Sequence, residues 1–218
     1  MEYISLISAA LLLMKRSRSR STLSRKDNII VRDLPTVPIS TTFRKAKTTD
    51  MEAVHGLIRK LAKYENCLDK VQVTLNDLIS HHSSLKFDVI IAEICENSAS
   101  KSAKTAAETT AQTPAKTSAP KIIGFAFFYF GFNTFVGRTV FLDDLFVVEK
   151  YRCHGIGAAL MSRVAEYALK NGAKRMEWLS FRWNQLANTF YKNKIQACSN
   201  DHLMYWRFTE LERLAGRR

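Results

Sequence analysis

A glycine-containing turn at residues 151–160 joins an apolar stretch to an amphipathic one, and this arrangement constrains the fold more than any other feature. Residues 139–148, before the turn, are apolar apart from two adjacent carboxylates and predict a strand. From Ile156 onward, apolar residues recur at helical spacing, and Asn171-Gly172 ends the predicted helix. A strand, a small-residue turn and a helix together gather free backbone N–H groups at the positive end of the helix dipole. The turn therefore predicts a site for a phosphate or pyrophosphate group.

The residues within the turn exclude two common phosphate-binding motifs. A dinucleotide-binding turn needs a third glycine at the position of Leu160, and a P-loop needs Lys-Ser/Thr after Gly157, where this chain has two alanines. The remaining pattern is Arg152-x-x-Gly155-x-Gly157-Ala158. By itself such a pattern is also compatible with a purely structural helix cap.

The sequence on both sides of this pattern is informative. The pattern resembles the pyrophosphate-binding signature of GNAT-type N-acetyltransferases, which hold acetyl-CoA. Four separate blocks are similar, in order and spacing, to the diamine (spermidine/spermine) acetyltransferases and to their thialysine-acetylating branch. The similarity extends from about Thr42 to Phe208 with one insertion, and its blocks are residues 61–65, 123–130, 141–147 and 183–192.

The resemblance implies an α/β (α+β) chain with the GNAT fold, in which helices flank a mixed, mostly antiparallel sheet whose splayed central strands hold acetyl-CoA. The local patterns predict matching elements. Strands are expected at residues 43–46, 87–95, 121–130, 139–148, 174–180 and 203–208. Helices are expected after a capping box at Thr49-x-x-Glu52, around residues 74–81, after the glycine turn, and at residues 185–194 behind an Asn184 cap.

The resemblance also implies the residues that contact the acetyl-CoA cosubstrate, and it implies no metal. One group follows the carboxylate pair, the second is the glycine turn, and the third opens the last predicted helix. They are Leu145, Phe146, Val147, Arg152, Cys153, His154, Gly155, Ile156, Gly157, Ala158, Asn184, Gln185, Leu186 and Ala187.

Acetyl transfer to an amine requires a proton acceptor for the ammonium, donors for the oxyanion and a proton for the departing thiolate. By resemblance, Tyr191 is the general acid, and a phenol that is protonated at neutral pH suits that role. Asp143 occupies the place of a glutamate that orders a water acting as base. Alternation along a strand would direct Asp143 and Asp144 to opposite faces. The amine site would be lined by Tyr64, Glu65, Asp143, Asp144, Glu177, Trp178 and Leu179.

The chain departs from the family pattern after Tyr191. The family usually continues with a glycine-alanine turn and acidic residues, whereas residues 192–197 contain two lysines and no acid. This change favours a smaller amine, such as a lysine-like side chain, over a long polyamine.

The ends and the insertion differ in composition from the folded part. Of the net charge of +13, residues 1–40 contribute +4 and the Ala/Ser/Thr/Lys-rich residues 97–120 contribute +2. We expect the insertion to be a low-complexity loop between two strands, inside a domain at residues 41–210 that is followed by a tail at residues 211–218.

A basic surface attracts a cationic amine only through a local acidic pocket, which we expect at the site. The four cysteines are scattered and predict no zinc site or disulfide framework.

Residues 1–40 allow three interpretations: a disordered extension, a mitochondrial presequence rich in Arg and Ser, or a basic or membrane tether. The apolar run there is twelve residues long, too short for a stable membrane span. We expect a cytoplasmic protein, or a mitochondrial one if this segment is a presequence.

The sequence thus predicts an N-acetyltransferase that moves the acetyl group of acetyl-CoA directly to a primary amine of a small diamine, polyamine or lysine analogue. By resemblance it forms a homodimer. Acetylation of a protein lysine or N-terminus is the alternative within enzymes, and a non-catalytic CoA-binding regulatory module is the alternative outside them. No nucleic-acid partner is expected, because no basic motif with interleaved aromatic residues is present.

Overall fold

The computed structural model describes residues 41–95 and 120–200. The N-terminal extension, most of the insertion, the predicted strand at residues 203–208 and the tail lie outside these ranges and stay predictions. The elements in chain order are β1 (Thr41–Lys45), α1 (Met51–Tyr64), α2 (Leu75–Ser83), β2 (Asp88–Ile94), β3 (Lys121–Asn133), β4 (Gly137–Val147), α3 (Ile156–Lys170), β5 (Arg175–Trp178) and α4 (Gln185–Asn193).

The five strands form one open sheet in the order β1-β2-β3-β4-β5. The first three pairings are antiparallel, and only β4 and β5 run parallel. This arrangement confirms the predicted mixed, mostly antiparallel sheet. No helix within the described ranges has both the length and the apolar character needed to cross a membrane.

The two faces of the sheet carry separate apolar cores. On one face, α1 and α2 cover Val89, Ile91 and Phe125, and on the other face α3 covers Val140 and Leu142. The α3 helix approaches the sheet closely at Gly124, where an added Cβ would lie 2.9 Å from the Phe146 carbonyl oxygen and 3.5 Å from Leu160 Cδ1. A larger residue at position 124 would therefore clash first with the backbone of β4, next to the side chain through which α3 packs on the sheet.

A β-bulge interrupts β4 at the predicted active site. Asp144 is paired with Phe127 and Leu142 with Phe128, so Asp143 is the extra residue on its strand. The bulge resets the alternation, because Leu142 and Leu145 both pack against the core that contains α3. Both carboxylates therefore lie on the opposite face, which is also the face of Phe127 and α1. The expectation that Asp143 and Asp144 point to opposite faces is wrong, because simple alternation does not hold through a bulge.

The helix starts show one further difference from prediction. The α1 helix is preceded by a 3-10 turn at Thr48–Asp50, and Asp50 instead of Thr49 accepts a hydrogen bond there, from the Lys47 N–H at 2.7 Å. Asp50 is also held by Arg44, which binds both Asp50 (Nη1–Oδ2, 2.7 Å) and Glu93 (Nη2–Oε2, 2.9 Å). The predicted capping box at Thr49 is therefore absent. Asp50 holds this turn instead, through the Lys47 N–H and the Arg44 guanidinium.

Candidate active site

The glycine turn has the geometry of an anion site. Gly155, the N-cap of α3, has a φ of +79°, and Cys153 has a φ of +62°. No side chain caps the helix, and its first turn contains no acidic residue. Because an uncapped helix N-terminus leaves backbone N–H groups available, the turn is suited to a phosphate. In addition, His154 Nδ1 is buried without a hydrogen-bond partner in the described chain.

Arg152, which is predicted to contact the cofactor, makes hydrogen-bond and aromatic contacts to other residues of the protein. Its Nε donates a hydrogen bond of 2.9 Å to the Val147 carbonyl oxygen at the end of β4. Its guanidinium also lies over two aromatic rings, 4.9 Å from the Tyr64 centroid and 5.6 Å from that of Phe146. Arg152 therefore ties the end of β4 to the end of α1, and its contacts within the described chain are structural.

Strands β4 and β5 separate beside the carboxylates. Their pairing runs from Thr139 with Arg175 to Leu142 with Trp178, whereas β4 continues to Val147. The gap therefore opens at Asp143 and runs along Leu145 to Val147, the segment predicted to contact acetyl-CoA. Because β5 ends where this pairing ends, the edge of β4 from Asp143 to Val147 has no paired strand on that side among the described residues, which agrees with the splayed strands implied by the resemblance.

The last helix brings Tyr191 to this gap. Asn184 caps α4 as predicted, because its side-chain oxygen accepts a hydrogen bond from the Ala187 N–H at 3.2 Å. Phe190 packs toward the glycine turn, with its Cζ 3.7 Å from the Cβ position of Gly157. Tyr191 packs against Trp178, the last residue of β5, with ring centroids 5.2 Å apart. The same helix thus reaches both the phosphate turn and the end of the strand gap.

Asp144 lies close enough to Asp143, Glu65 and the Tyr191 phenol for their charges to interact with it. Burial, followed by the charges of Asp143 and Glu65, raises the pKa of Asp144 to about 7. Burial, followed by the charges of Glu65 and Asp144, raises the pKa of Tyr191 to about 12. Loss of solvent also raises the pKa of Glu65 and that of the more exposed Asp143. Glu65 and Asp144 both act on the Tyr191 phenol, and Asp144 is also affected by Asp143.

These carboxylates have no compensating cation within the described chain. Neither Glu65, Asp143 nor Asp144 forms a salt bridge with another residue of the two described ranges. Because unpaired carboxylates are unfavourable in partly buried positions, their clustering indicates a site for a cationic ligand. It also agrees with the expectation of local acidic groups at the amine site of this basic chain.

The structure divides the remaining predicted amine-site residues. Glu177 lies on β5 beside Phe141 and is bound by Arg175 (Nη2–Oε1, 3.0 Å), so its charge is already balanced. Trp178 packs on Tyr191, in agreement with both a structural and a site role. Leu179 follows the end of β5 and is 57% exposed.

Tyr64 connects the amine side of the site to the cofactor side. Its hydroxyl donates a hydrogen bond of 3.3 Å to Asn184 Oδ1, while its ring faces Arg152. The Trp183 ring lies 5.9 Å from it, and Phe181 stacks on Trp183 at 5.6 Å. The sequence indicated Tyr64 as an amine-site residue but not this series of aromatic contacts, because no sequence spacing relates α1 to the segment before α4.

The comparisons with known proteins agree with this geometry. The model of the acetyltransferase (GNAT) family matches residues 94–194. The chain is 29% identical over 152 residues to a thialysine N-epsilon-acetyltransferase of Bos taurus, covering 69% of this chain and 80% of the relative. It is 27% identical over 174 residues to the L-ornithine N5-acetyltransferase NATA1 of Arabidopsis thaliana, covering 69% and 76%.

A solved structure shares the fold. The aminoglycoside N-acetyltransferase AAC(6′)-Iy, solved in complex with CoA, superimposes with a TM-score of 0.55 at 15% identity, covering 78% of this chain and 95% of that one. The fold, the uncapped glycine turn and these relatives define the class as an acetyl-CoA-dependent N-acetyltransferase. The chain contains a GNAT acetyltransferase domain.

Proposed function

We propose that this enzyme acetylates the terminal primary amine of a small cationic substrate, a lysine-like amino acid or a short diamine. The observation that carries the proposal is the group of three carboxylates, Glu65, Asp143 and Asp144, which have no cation partner among residues 41–95 and 120–200 and act electrostatically on one another or on the Tyr191 phenol. Such a cluster attracts an ammonium, whereas the rest of the chain is strongly basic. The thialysine and ornithine named for the two relatives both carry an amine on an amino-acid side chain, and this supports the same substrate class.

Each side of the site has a distinct part in the proposed reaction. The backbone of the glycine turn holds the pyrophosphate of acetyl-CoA, and the gap along Leu145 to Val147 receives the arm that carries the thioester. The carboxylates bind the ammonium and receive its proton. Tyr191 donates a proton to the departing thiolate, and its raised pKa keeps the phenol protonated until the thiolate forms. Transfer is direct, so no acetyl-enzyme forms.

The test is release of free CoA thiol from acetyl-CoA with four acceptors offered separately: thialysine, ornithine, spermidine and a lysine-containing peptide. We expect kcat/KM to be highest for the two amino acids. A preference for the peptide would instead support protein acetylation. Binding of acetyl-CoA without turnover on any acceptor would support the non-catalytic CoA-binding module.

A further inference from the structure

We propose that Asp144, and not Asp143, is the catalytic residue that accepts the proton of the substrate ammonium. The assignment rests on the proposed function, because it concerns how the same site prepares the amine. It departs from the role that the sequence resemblance gives to Asp143, and it depends on the bulge that the sequence pattern did not predict.

The bulge gives the two adjacent carboxylates different surroundings on one face of the sheet. Asp144 is paired with Phe127, whose ring stacks on Phe87 at 4.2 Å, so Asp144 has an aromatic neighbour on the adjacent strand and is less exposed than Asp143. Asp143 is the unpaired bulge residue and remains exposed. A carboxylate beside apolar side chains is the stronger base, while an exposed one is well placed to exchange protons with solvent.

The groups facing Asp144 come from three elements. Glu65 lies at the end of α1 and Asp143 precedes Asp144 on β4, whereas Tyr191 on α4 packs against the α3-side core and is still close enough for the charge of Asp144 to raise the pKa of its phenol. Burial, followed by the negative charges of Asp143 and Glu65, raises the pKa of Asp144 to about 7, and a base with a pKa near neutral pH transfers protons most effectively there. Asp144 therefore interacts electrostatically both with the other two carboxylates and with the phenol that acts as the acid.

The proton steps balance in this arrangement. An N–H bond of the ammonium breaks as an O–H bond forms on Asp144, which leaves a neutral amine. The amine nitrogen then forms the C–N bond to the acetyl carbon, the C–S bond breaks, and the Tyr191 proton passes to the sulfur. The surplus proton on the nitrogen restores the Tyr191 phenol. Asp144 releases its proton past Asp143 to solvent, so one proton leaves per turnover.

The experiment measures kcat/KM against pH from 5 to 9 for the full chain and two matched variants, Asp144→Asn and Asp143→Asn. For the wild type we expect kcat/KM to fall about tenfold per pH unit below about pH 7. In Asp144→Asn we expect a loss of roughly 100-fold at pH 8 and no remaining acid limb. In Asp143→Asn the acid limb should persist and move to lower pH, since removing a neighbouring negative charge favours ionised Asp144.

The opposite pattern would overturn the assignment: an acid limb abolished by Asp143→Asn and only shifted by Asp144→Asn. Acetyl-CoA binding and thermal unfolding of each variant, with Asp69→Asn on an exposed turn as a control, separate this result from misfolding. If the wild type acetylates none of the amines, the proposed function fails and the assignment fails with it. A wild type that turns over therefore distinguishes failure of the assignment from failure of the function.

Discussion

Two groups of carboxylates beside the same sheet have pKa values that are shifted in opposite directions. At the outer strands, Asp50 and Glu93 share the Arg44 guanidinium, and the hydrogen bonds from Arg44 lower the pKa of Asp50. At the strand gap, Asp143, Asp144 and Glu65 have no cation within the described chain, and burial raises the pKa of each. Carboxylates therefore stabilise the fold where Arg44 pairs with them, and their ionised form is destabilised by burial at the strand gap. The unfavourable cluster is the one at the proposed active site, where substrate supplies the missing charge.

The strongest test of the paired cluster is Arg44→Met. The substitution leaves two part-buried carboxylates without their shared cation, so we expect a loss of about 2 kcal/mol in the free energy of unfolding. Chemical denaturation measures the loss. The matched control is Arg163→Met, which breaks an exposed pair with Glu166 and should cost less than about 0.5 kcal/mol. Equal small losses in both variants would show that the Arg44 cluster does not stabilise the fold.

A substitution among the carboxylates at the proposed active site should raise the free energy of unfolding, whereas Arg44→Met lowers it. The pKa of Asp144 rises on folding from 3.8 to about 7, so the folded state binds more protons and loses stability as pH increases between these values. Asp144→Asn removes this penalty and should raise the free energy of unfolding at pH 8 by roughly 1–2 kcal/mol while it lowers activity. Denaturation at pH 5 and pH 8 measures the effect, and a variant that is less stable than the wild type at pH 8 would contradict it.

The paired carboxylate has the reverse pH dependence. The pKa of Asp50 falls on folding, so its contribution is present above the unfolded pKa of 3.8 and is lost as pH decreases through the lower, folded value. Asp50 therefore contributes less to stability as the pH falls below 3.8, whereas Asp144 lowers stability as the pH rises from 3.8 to about 7.

The smallest predicted effect concerns Tyr64, which joins the two halves of the site. Tyr64→Leu removes the ring beneath Arg152 and the hydroxyl bound to Asn184, so we expect KM for acetyl-CoA to rise about three- to fivefold. Tyr64→Phe keeps the ring and should recover most of this loss. Steady-state kinetics with either substrate varied make the measurement. An increase confined to KM for the amine would place Tyr64 in the amine site alone.

The sequence was sufficient to predict most of the fold. Hydrophobic periodicity predicted the described strands and helices, and the predicted cap at Asn184 is present. The glycine turn could be predicted because its chemistry is local: backbone groups at a helix start depend only on neighbouring residues.

The unpredicted features depend on contacts between distant segments. The bulge at Asp143 arises from the register between β3 and β4, and one extra residue reverses the alternation expected from the sequence. The contacts of Arg152 with Tyr64 and of Tyr64 with Asn184 join residues that are 88 and 120 positions apart. The raised pKa of Asp144 likewise depends on burial by the folded chain, and then on the charges of Asp143 and of Glu65 from another element. None of these features can be predicted from a short stretch of neighbouring residues.

The central claim is that Tyr191 and the unpaired carboxylates transfer an acetyl group to a small cationic amine. Its most direct test is CoA thiol release with thialysine by the wild type and by Tyr191→Phe, together with their acetyl-CoA affinities. We predict turnover by the wild type and a loss of kcat of roughly 10- to 100-fold in Tyr191→Phe, with acetyl-CoA affinity within about twofold. Equal kcat values for the two proteins would contradict the role of Tyr191 as the acid.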